Sequence, residues 1–438
     1  MNIDARSLTI YILNKFSIKH ENLHKIRNNA YSKFNPNKNN IARSMVLTNE
    51  IIRKKDRLDM MIEVISKRKI SYFNTALKSI LRVGFYEIMY DNSVPQFATV
   101  DSSVKITKKL ISKKASGLTN AVLRKLIRIN NQGSNWFSPL KKHKKWWSIP
   151  LWLRKRWELR FGQKEYELLA EFFDSPSAIN LRVDQSRISC VEVVRLLKQL
   201  DIKSEILLEP FLKIEKGLGK ILKTRLFQSG KVSIQDVAAG NIVYLLGLKE
   251  GDTVLDICAA PGTKALFMSE IIGENGIVYA FDINESRIRD GKNDFKRHGK
   301  KNIQWYKKDA INDEFPMTEK ILIDAPCSGT GVLRKKPDIK WRRSINDIRI
   351  LTKIQLSILN NVSKYLKIGG TLVYSTCSLE PEENWNIIKE FLKLKPNFQL
   401  ITKHSVIKDE WINNNGCFET FPHRHNVDGM FAAKLTRV

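Results

Sequence analysis

The sequence predicts a multidomain chain: an all-helical domain over residues 1–140, a small α+β domain over 141–235 and a doubly wound α/β domain over 236–438. Three observations carry this. Apolar residues in roughly the first 130 positions recur at helical spacing. From about residue 250 onward, strand-like apolar runs alternate with helix-length segments, the pattern of a mostly parallel sheet. Near residues 135 to 150 the composition turns to Asn, Gly, Ser, Pro and basic residues, which marks a boundary.

In the first domain, Leu77, Leu81, Phe85 and Ile88 fall on one helical face, as do Leu118, Val122, Leu126 and Ile129. Arg124, Lys125 and Arg128 lie between the apolar positions of the second set, so the face turned from the core is basic and a candidate for the phosphates of a polyanion. The middle domain combines the strand-like Ile179-Asn-Leu-Arg-Val183 with a helix over Val191 to Leu200. In the last domain, strand-like runs occur at 253–257, 277–281, 303–306, 321–323 and 371–374. There is no internal repeat.

The 438 residues carry a net charge of +30, and residues 1–150 hold 29 Lys and Arg against 9 Asp and Glu. Such a concentration in one third of the chain predicts a polyanion, namely nucleic acid, as partner. No apolar run approaches the length of a membrane span, and no leader-like segment opens the chain, so a cytoplasmic protein without membrane contact is expected. Five dispersed cysteines with no Cys-x-x-Cys pair exclude a disulfide framework and a zinc ribbon. Cys190 and Cys417 read as packing residues, and the spacing of His404, His423 and His425 suits no metal site.

Several predicted strands end in chemistry. Cys327, in Asp324-Ala-Pro-Cys-Ser-Gly-Thr-Gly331, and Cys377, in Tyr374-Ser-Thr-Cys-Ser378, each follow a strand, so the fold brings two thiols and a carboxylate to the sheet edge where ligands bind. Asp256-Ile-Cys-Ala-Ala-Pro-Gly262, Asp282, Asp309 and Asp324 likewise stand at strand ends. Small residues there let the backbone approach a ligand, and an acid after the second strand can hold a ribose. The phosphate-loop frame is absent around Lys264 and no Gly-x-Gly-x-x-Gly follows a strand, which disfavours ATP and NAD. S-adenosyl-L-methionine, a nucleoside without phosphates, suits acids at strand ends better.

These motifs, with Pro337-Asp-Ile-Lys-Trp341 and Ser375-Thr-Cys-Ser-Leu-Glu-Pro-Glu-Glu-Asn384, resemble bacterial RNA cytosine-5 methyltransferases. Ile80-Leu-Arg-Val-Gly-Phe-Tyr-Glu-Ile-Met89, Val94-Pro95 and Thr119-Asn-Ala-Val-Leu-Arg124 resemble the NusB-like RNA-binding domain fused to the Sun/Fmu branch of that family. Ser148-Ile-Pro-Leu-Trp-Leu153, Phe421-Pro-His-Arg-His425 and Asp428-Gly429 extend the likeness to the middle and C-terminal segments. The resemblance implies a NusB-like N-terminal domain, a Rossmann-like class I methyltransferase domain, and methylation of one cytosine of 16S ribosomal RNA, position 967 in the family; a monomer without a metal is expected. It implies Cys377 as nucleophile and Cys327 as the group that releases product. Cys258, Ala259, Ala260, Pro261, Gly262, Thr263, Lys264, Asp282, Asp309 and Asp324 are implied at S-adenosyl-L-methionine. Two departures stand out. The chain has Pro261-Gly-Thr-Lys-Ala265 where the family usually has Pro-Gly-Gly-Lys-Thr, which predicts weaker cofactor binding if position 263 needs φ > 0. Asp309 stands in Lys307-Lys-Asp-Ala310 rather than after Gly.

The chemistry explains the pairing of thiols. Cytosine C5 is a poor nucleophile until a thiolate adds at C6. Asp324 is then placed as the acid at ring N3, and a second thiol or its water as the base for the C5 proton. A helix starting near Pro381 would offer Cys377 a positive dipole end. Arg334, Lys335, Lys336, Lys340, Trp341, Arg342 and Arg343 read as a loop for phosphate contacts and base stacking. A tRNA cytosine-5 methyltransferase and an RNA-binding assembly factor with an impaired methyltransferase fold are the competing readings.

Overall fold

The computed structural model describes residues 3–19, 21–133 and 135–438. It forms two compact units, Met1–Ser175 with Leu333–Arg343, and Pro176–Val332 with Ser344–Val438.

The first unit is helical: α1 (Ala5–Lys19), α2 (Leu23–Phe34), α3 (Lys38–Arg53), α4 (Lys55–Ser66), α5 (Thr75–Tyr90), α6 (Gln96–Leu110) and α7 (Lys113–Asn131). Asn37, Asn74 and Ser112 cap α3, α5 and α7, each side chain accepting from a backbone N–H of the first turn. The predicted stripes become core: Leu77, Leu81, Phe85 and Ile88 of α5 are buried, with Val122 and Leu126 of α7, while Leu118 and Ile129 pack at its margin. Each fully buried Leu or Ile contributes about 1.5–3 kcal/mol. Glu87 of α5 is buried with them, satisfied by Arg6 at 2.8 Å, Arg43 at 3.2 Å and the Thr99 hydroxyl at 3.0 Å.

Helices Leu151–Phe161 and Gln163–Asp174 join this unit rather than the expected middle domain. Ion pairs and backbone contacts draw them in: Arg53 donates to the Phe173 carbonyl at 3.0 Å, and Asp174 pairs with Lys54 at 3.0 Å and Arg57 at 2.9 Å. The expected boundaries at 140 and 235 are therefore not those of the compact units.

The second unit holds two sheets. The smaller, β1 (Ile179–Val183), β2 (Ser204–Leu208), β3 (Phe211–Ile214) and β4 (Val232–Ile234), runs antiparallel in the order β2-β3-β1-β4. The helix Cys190–Lys198 covers it with Val193 and Leu197. The larger comprises β5 (Thr253–Ile257), β6 (Ile277–Asp282), β7 (Ile303–Lys307), β8 (Thr318–Asp324), β9 (Leu366–Thr376), β10 (Phe398–Ile401), β11 (Phe418–Glu419) and β12 (Phe431–Arg437). Its order is β10-β12-β9-β8-β5-β6-β7, with β11 on β12. From β9 to β7 it is parallel, while β12 and β10 add an antiparallel edge that the apolar runs did not announce.

Neighbouring residues of the central strands enter opposite cores. Ile321, Ile323, Leu372 and Tyr374 lie on one side, and Leu322 and Val373 on the other. Apolar residues on both faces make a sheet covered by helices on both sides. Strand order reverses at β5, which has β6 on one side and β8 on the other, so a crevice opens beyond the carboxyl ends of β5 and β8.

Candidate active site

The turn after β5 is set by two left-handed residues, Cys258 at φ 63° and Gly262 at φ 100°. A Cβ at Gly262 would lie 2.8 Å from the Phe295 ring and 2.9 Å from Trp305, so glycine is required by space as well as conformation. Gly262 precedes the helix Thr263–Ile271, in which Thr263 is the first residue. The left-handed position thus falls on Gly262, and a β-branched residue at 263 meets no conformational penalty. The concern raised by the departure from Gly-Gly is removed, and with it the sequence argument for an impaired enzyme.

Asp282, buried at the end of β6, fixes this turn. Its Oδ2 accepts from the Ala260 N–H at 3.1 Å and lies 3.4 Å from Arg287, and its Oδ1 accepts from the Asn284 N–H at 2.8 Å. Each oxygen has two lone pairs, so acceptor capacity remains for a ligand. Asp309 lies in the loop after β7 and braces that loop, accepting from the Ile311 N–H and Asn312 Nδ2 at 2.9 Å each.

Asp256 is fully buried, and neither carboxylate oxygen has a hydrogen-bond partner among the described residues. Burial, then the nearby Asp324 charge, pushes its pKa well above the ordinary carboxylate value. Since the folded value exceeds the unfolded one, the folded state binds the extra proton, and stability falls as pH rises above about 4. Asp256→Asn is expected to remove a slope of up to about 1.4 kcal/mol per pH unit and to raise the melting temperature at pH 8. Thermal unfolding of both proteins between pH 5 and 8 checks this; parallel profiles would contradict a protonated Asp256.

At the ends of β8 and β9 the reactive groups meet. Lys264, buried, donates to Asp324 Oδ2 at 2.7 Å, and Ser375 donates to Asp324 Oδ1 at 3.0 Å. Burial alone would lower the Lys264 pKa, but Asp324 more than offsets it, and the ammonium is held above the ordinary lysine value. A charge on Cys377 would act on Lys264 in the same direction. Cys327 and Cys377, each partly exposed, have their sulfurs 3.4 Å apart, and the Cys377 N–H donates to Cys327 Sγ at 3.3 Å. The hydrogen bond to Cys377, then burial, raises the Cys327 thiol well above its usual range. The expected helix dipole is not at Cys377: Pro381–Glu383 is a short 3₁₀ turn, and the helix proper is Trp385–Leu394. Cys258 is driven up by burial, while Cys190 and Cys417, both buried, are pushed to about 11 and about 12. These are the marks of inert thiols.

Sequence reasoning missed the acid that joins the two cysteine loops. Glu383 is buried between them and receives Ser328 and Ser378. Its one visible signal was a second acid next to Glu382 within the Cys377 motif. Gly331 serves the same joint: a Cβ there would lie 2.0 Å from the carbonyl oxygen of Gly429, in the Asp428-Gly429 pair.

The residues expected to contact RNA divide into several groups. Arg124 and Arg128 are exposed on α7, but Lys125 donates to the Ile65 carbonyl at 2.7 Å and caps the end of α4. Of the 334–343 segment, Lys336 is exposed, Lys335 and Arg343 are half-buried, Arg334 lies 4.3 Å over Phe172, and Arg342 pairs with Asp338 at 2.8 Å. Lys340 and Trp341 are not on an open loop. Lys340 Nζ donates to the Arg53 carbonyl and the Trp341 indole to the Ile52 carbonyl, each at 2.9 Å. They satisfy carbonyls that the last turn of α3 leaves without helical partners. Burial, then Arg53, lowers Lys340 to about 7. Trp341 has Lys55 3.9 Å above its ring. Both are assigned to the packing of the helical unit.

The helical unit also carries an open groove of about 940 Å³ lined by Phe97, Val104, Lys113, Asn120 and Arg124. Among the described residues no group of three or more His, Cys, Asp or Glu could hold a metal ion, and no helix is long and apolar enough to cross a membrane.

The family model for 16S rRNA methyltransferase RsmB/F matches residues 243–436, and that for the NusB family matches residues 3–128. The chain is 30% identical over 396 residues to the probable ribosomal RNA small subunit methyltransferase B of Synechocystis, covering 88% of this chain and 89% of the relative. It is 32% identical over 374 residues to the Bacillus subtilis protein of the same description, covering 82% of each. Among solved structures, PH0851 is similar over 100% of both chains, with a TM-score of 0.78 at 24% identity, and supports the fold. NSun6 from Pyrococcus horikoshii, solved with SFG, is similar over 66% of this chain and 98% of its own, with a TM-score of 0.59 at 22% identity. With cysteines, strand-end acids and helical domain in place, the chain belongs to the RsmB/F family of 16S rRNA methyltransferases and carries a NusB-family domain at its N-terminal side.

Proposed function

We propose that this protein transfers a methyl group from S-adenosyl-L-methionine to C5 of a cytosine in 16S rRNA, position 967 by likeness to its family, through a bond between Cys377 and ring C6. The observation that carries this reading is the pair of sulfurs 3.4 Å apart beside the Lys264–Asp324 pair, at the carboxyl ends of adjacent parallel strands. Methylation of an exocyclic amine needs no thiol nucleophile.

The turn fits the cofactor. The left-handed residues Cys258 and Gly262 shape the turn beyond β5, and Asp282, buried yet with spare lone pairs, suits two ribose hydroxyls. When bound, S-adenosyl-L-methionine supplies a methyl activated by its sulfonium. The chain's own groups do the rest. Cys377, whose charged form the Lys264 ammonium favours, adds to C6 as the thiolate and makes C5 electron-rich. The Lys264–Asp324 pair meets the charge that arises at N3: Asp324 hands on to N3 a proton that Lys264 supplies, and the pair recovers it when the adduct breaks. Cys327, held protonated while Cys377 is charged, gives its proton to solvent once Cys377 is bonded to carbon. It then removes the C5 proton, directly or through water, and the bond from Cys377 to C6 breaks. The target base must first be unstacked.

Digestion to nucleosides of 16S rRNA labelled by this protein tests the reading: 5-methylcytidine at one position is the expected product, and label in N4-methylcytidine or in tRNA alone would overturn it. The groove of the helical unit is the proposed RNA-binding surface, since it joins Arg124 and Lys113 to the exposed ring of Phe97. Lys113→Glu with Arg124→Glu is expected to weaken 16S rRNA binding and to flatten the salt dependence by about 0.7–0.9 for each phosphate no longer neutralised. An unchanged slope in a salt titration would remove this surface from the interface.

A further inference from the structure

Glu383 is fully buried, an expensive place for an acid unless it is richly bonded. Its Oε1 accepts from the Ser328 N–H at 2.7 Å and from Gln355 Nε2 at 3.0 Å. Its Oε2 accepts from the hydroxyls of Ser328 and Ser378, each at 2.5 Å. Ser328 directly follows Cys327 and Ser378 directly follows Cys377, so one carboxylate grips the residue after each thiol. No step of the proposed reaction employs it.

The two cysteines depend on this clasp unequally. Cys377 directly follows Thr376, which pairs with Phe431 of β12, and its carbonyl accepts from the Gly331 N–H at 3.0 Å. The sheet itself places it. Cys327 lies three residues past the end of β8, in a loop tethered by Ala325 N–H to the Ser375 carbonyl at 2.9 Å, by Gln355 to the Pro326 carbonyl at 2.9 Å, and by Ser328 to Glu383.

We infer that Glu383 is a positioning residue for Cys327: it holds the second sulfur against the first, and it governs the release of product rather than the formation of the covalent bond. The titratable groups around it are Cys327 and Tyr374, whose hydroxyl donates to the Glu383 carbonyl at 2.8 Å. The inference rests on the covalent cytosine reading.

The test compares Glu383→Ala and Glu383→Gln, both with intact cysteines, against Cys327→Ala. Glutamine preserves the clasp, since its carbonyl can accept from the Ser328 N–H and Gln355 while its amide donates to both hydroxyls; only the charge is lost. Single-turnover methyl transfer, multiple turnover and the fraction of protein joined to RNA on a denaturing gel are measured together. Glu383→Ala is expected to keep single-turnover transfer within about threefold, to lose about tenfold or more in multiple turnover, and to accumulate RNA–protein complex. Glu383→Gln is expected to fall between it and the unaltered protein, and carries the test if the alanine variant does not fold. Equal loss of single and multiple turnover without complex would reduce Glu383 to a structural brace, and unchanged kinetics in both variants would remove the role. If neither Cys327→Ala nor Cys377→Ala traps RNA, the covalent reading fails and this inference falls with it, an outcome distinct from the other two.

Discussion

Cys327→Ala incubated with unmethylated 16S rRNA and S-adenosyl-L-methionine is expected to yield a heat-stable RNA–protein complex, whereas Cys377→Ala yields none and loses turnover by roughly 10⁴-fold or more. The difference follows from the order of the steps. Without Cys377 no adduct forms, and the ring stays too poor in electrons to accept a methyl group. Without Cys327 the adduct forms and is methylated, but no base stands near C5 to remove the proton whose loss expels the sulfur. The sulfur spacing of 3.4 Å sets the second thiol directly beside the first, so without it water is the remaining base and release slows. A denaturing gel with label in the methyl group reads both variants at once. Complex with Cys377→Ala and none with Cys327→Ala would exchange the two roles; complex with neither would remove the covalent mechanism.

Lys264→Met is expected to lower turnover by about 10²–10³-fold with a modest change in RNA affinity, because the cation that favours a charged Cys377 and supplies the proton of the Asp324 pair is removed. Asp324→Asn should fail similarly, and it leaves a buried ammonium without its carboxylate. Its stability cost is about 2 kcal/mol, below the roughly 3–5 kcal/mol of a fully buried pair, because Asp324 retains partial access to water. Linkage fixes the pH dependence. Lys264 has a folded pKa above its unfolded value, so the stability it contributes is fully present below about 10.4 and is lost only as pH rises through the folded value. Between pH 6 and 9 the melting difference between Lys264→Met and the unaltered protein should therefore stay flat as far as Lys264 is concerned. Turnover of Lys264→Met within threefold of the unaltered protein would remove the pair from the chemistry.

The helical unit and the parallel strands were legible because their signals are local. A helix repeats its buried face every three or four residues, and a strand every two, so Leu77 to Ile88 and the runs before Asp256, Asp282 and Asp324 could be read without knowing their neighbours. The site was legible for a related reason: strand ends gather at one sheet edge in any open α/β fold, which brings Cys327, Cys377, Lys264 and Asp324 together by topology alone. β10 and β12 escaped because an antiparallel edge after the last crossover carries no separate local mark.

Other features were settled only by residues distant in sequence. Lys340 and Trp341 have the composition of an RNA-binding loop, and nothing near them says that the carbonyls they satisfy belong to Ile52 and Arg53. Lys125 looks like a solvated helix face until the Ile65 carbonyl is placed beside it. Position 263 was ambiguous because sequence spacing does not say which residue of a turn takes the left-handed conformation, and the backbone puts it at Gly262. The sequence by itself determined the fold class and the family and pointed to the proposed chemistry-bearing residues, since these rest on local periodicity and on motifs at strand ends. Tertiary structure alone decided which cations are occupied by helix ends, that Asp256 is a buried acid without a hydrogen-bond partner among the described residues, and that Glu383 clasps both cysteine loops. The physical reason is that hydrogen-bond satisfaction and desolvation are properties of surroundings assembled from residues tens to hundreds of positions apart.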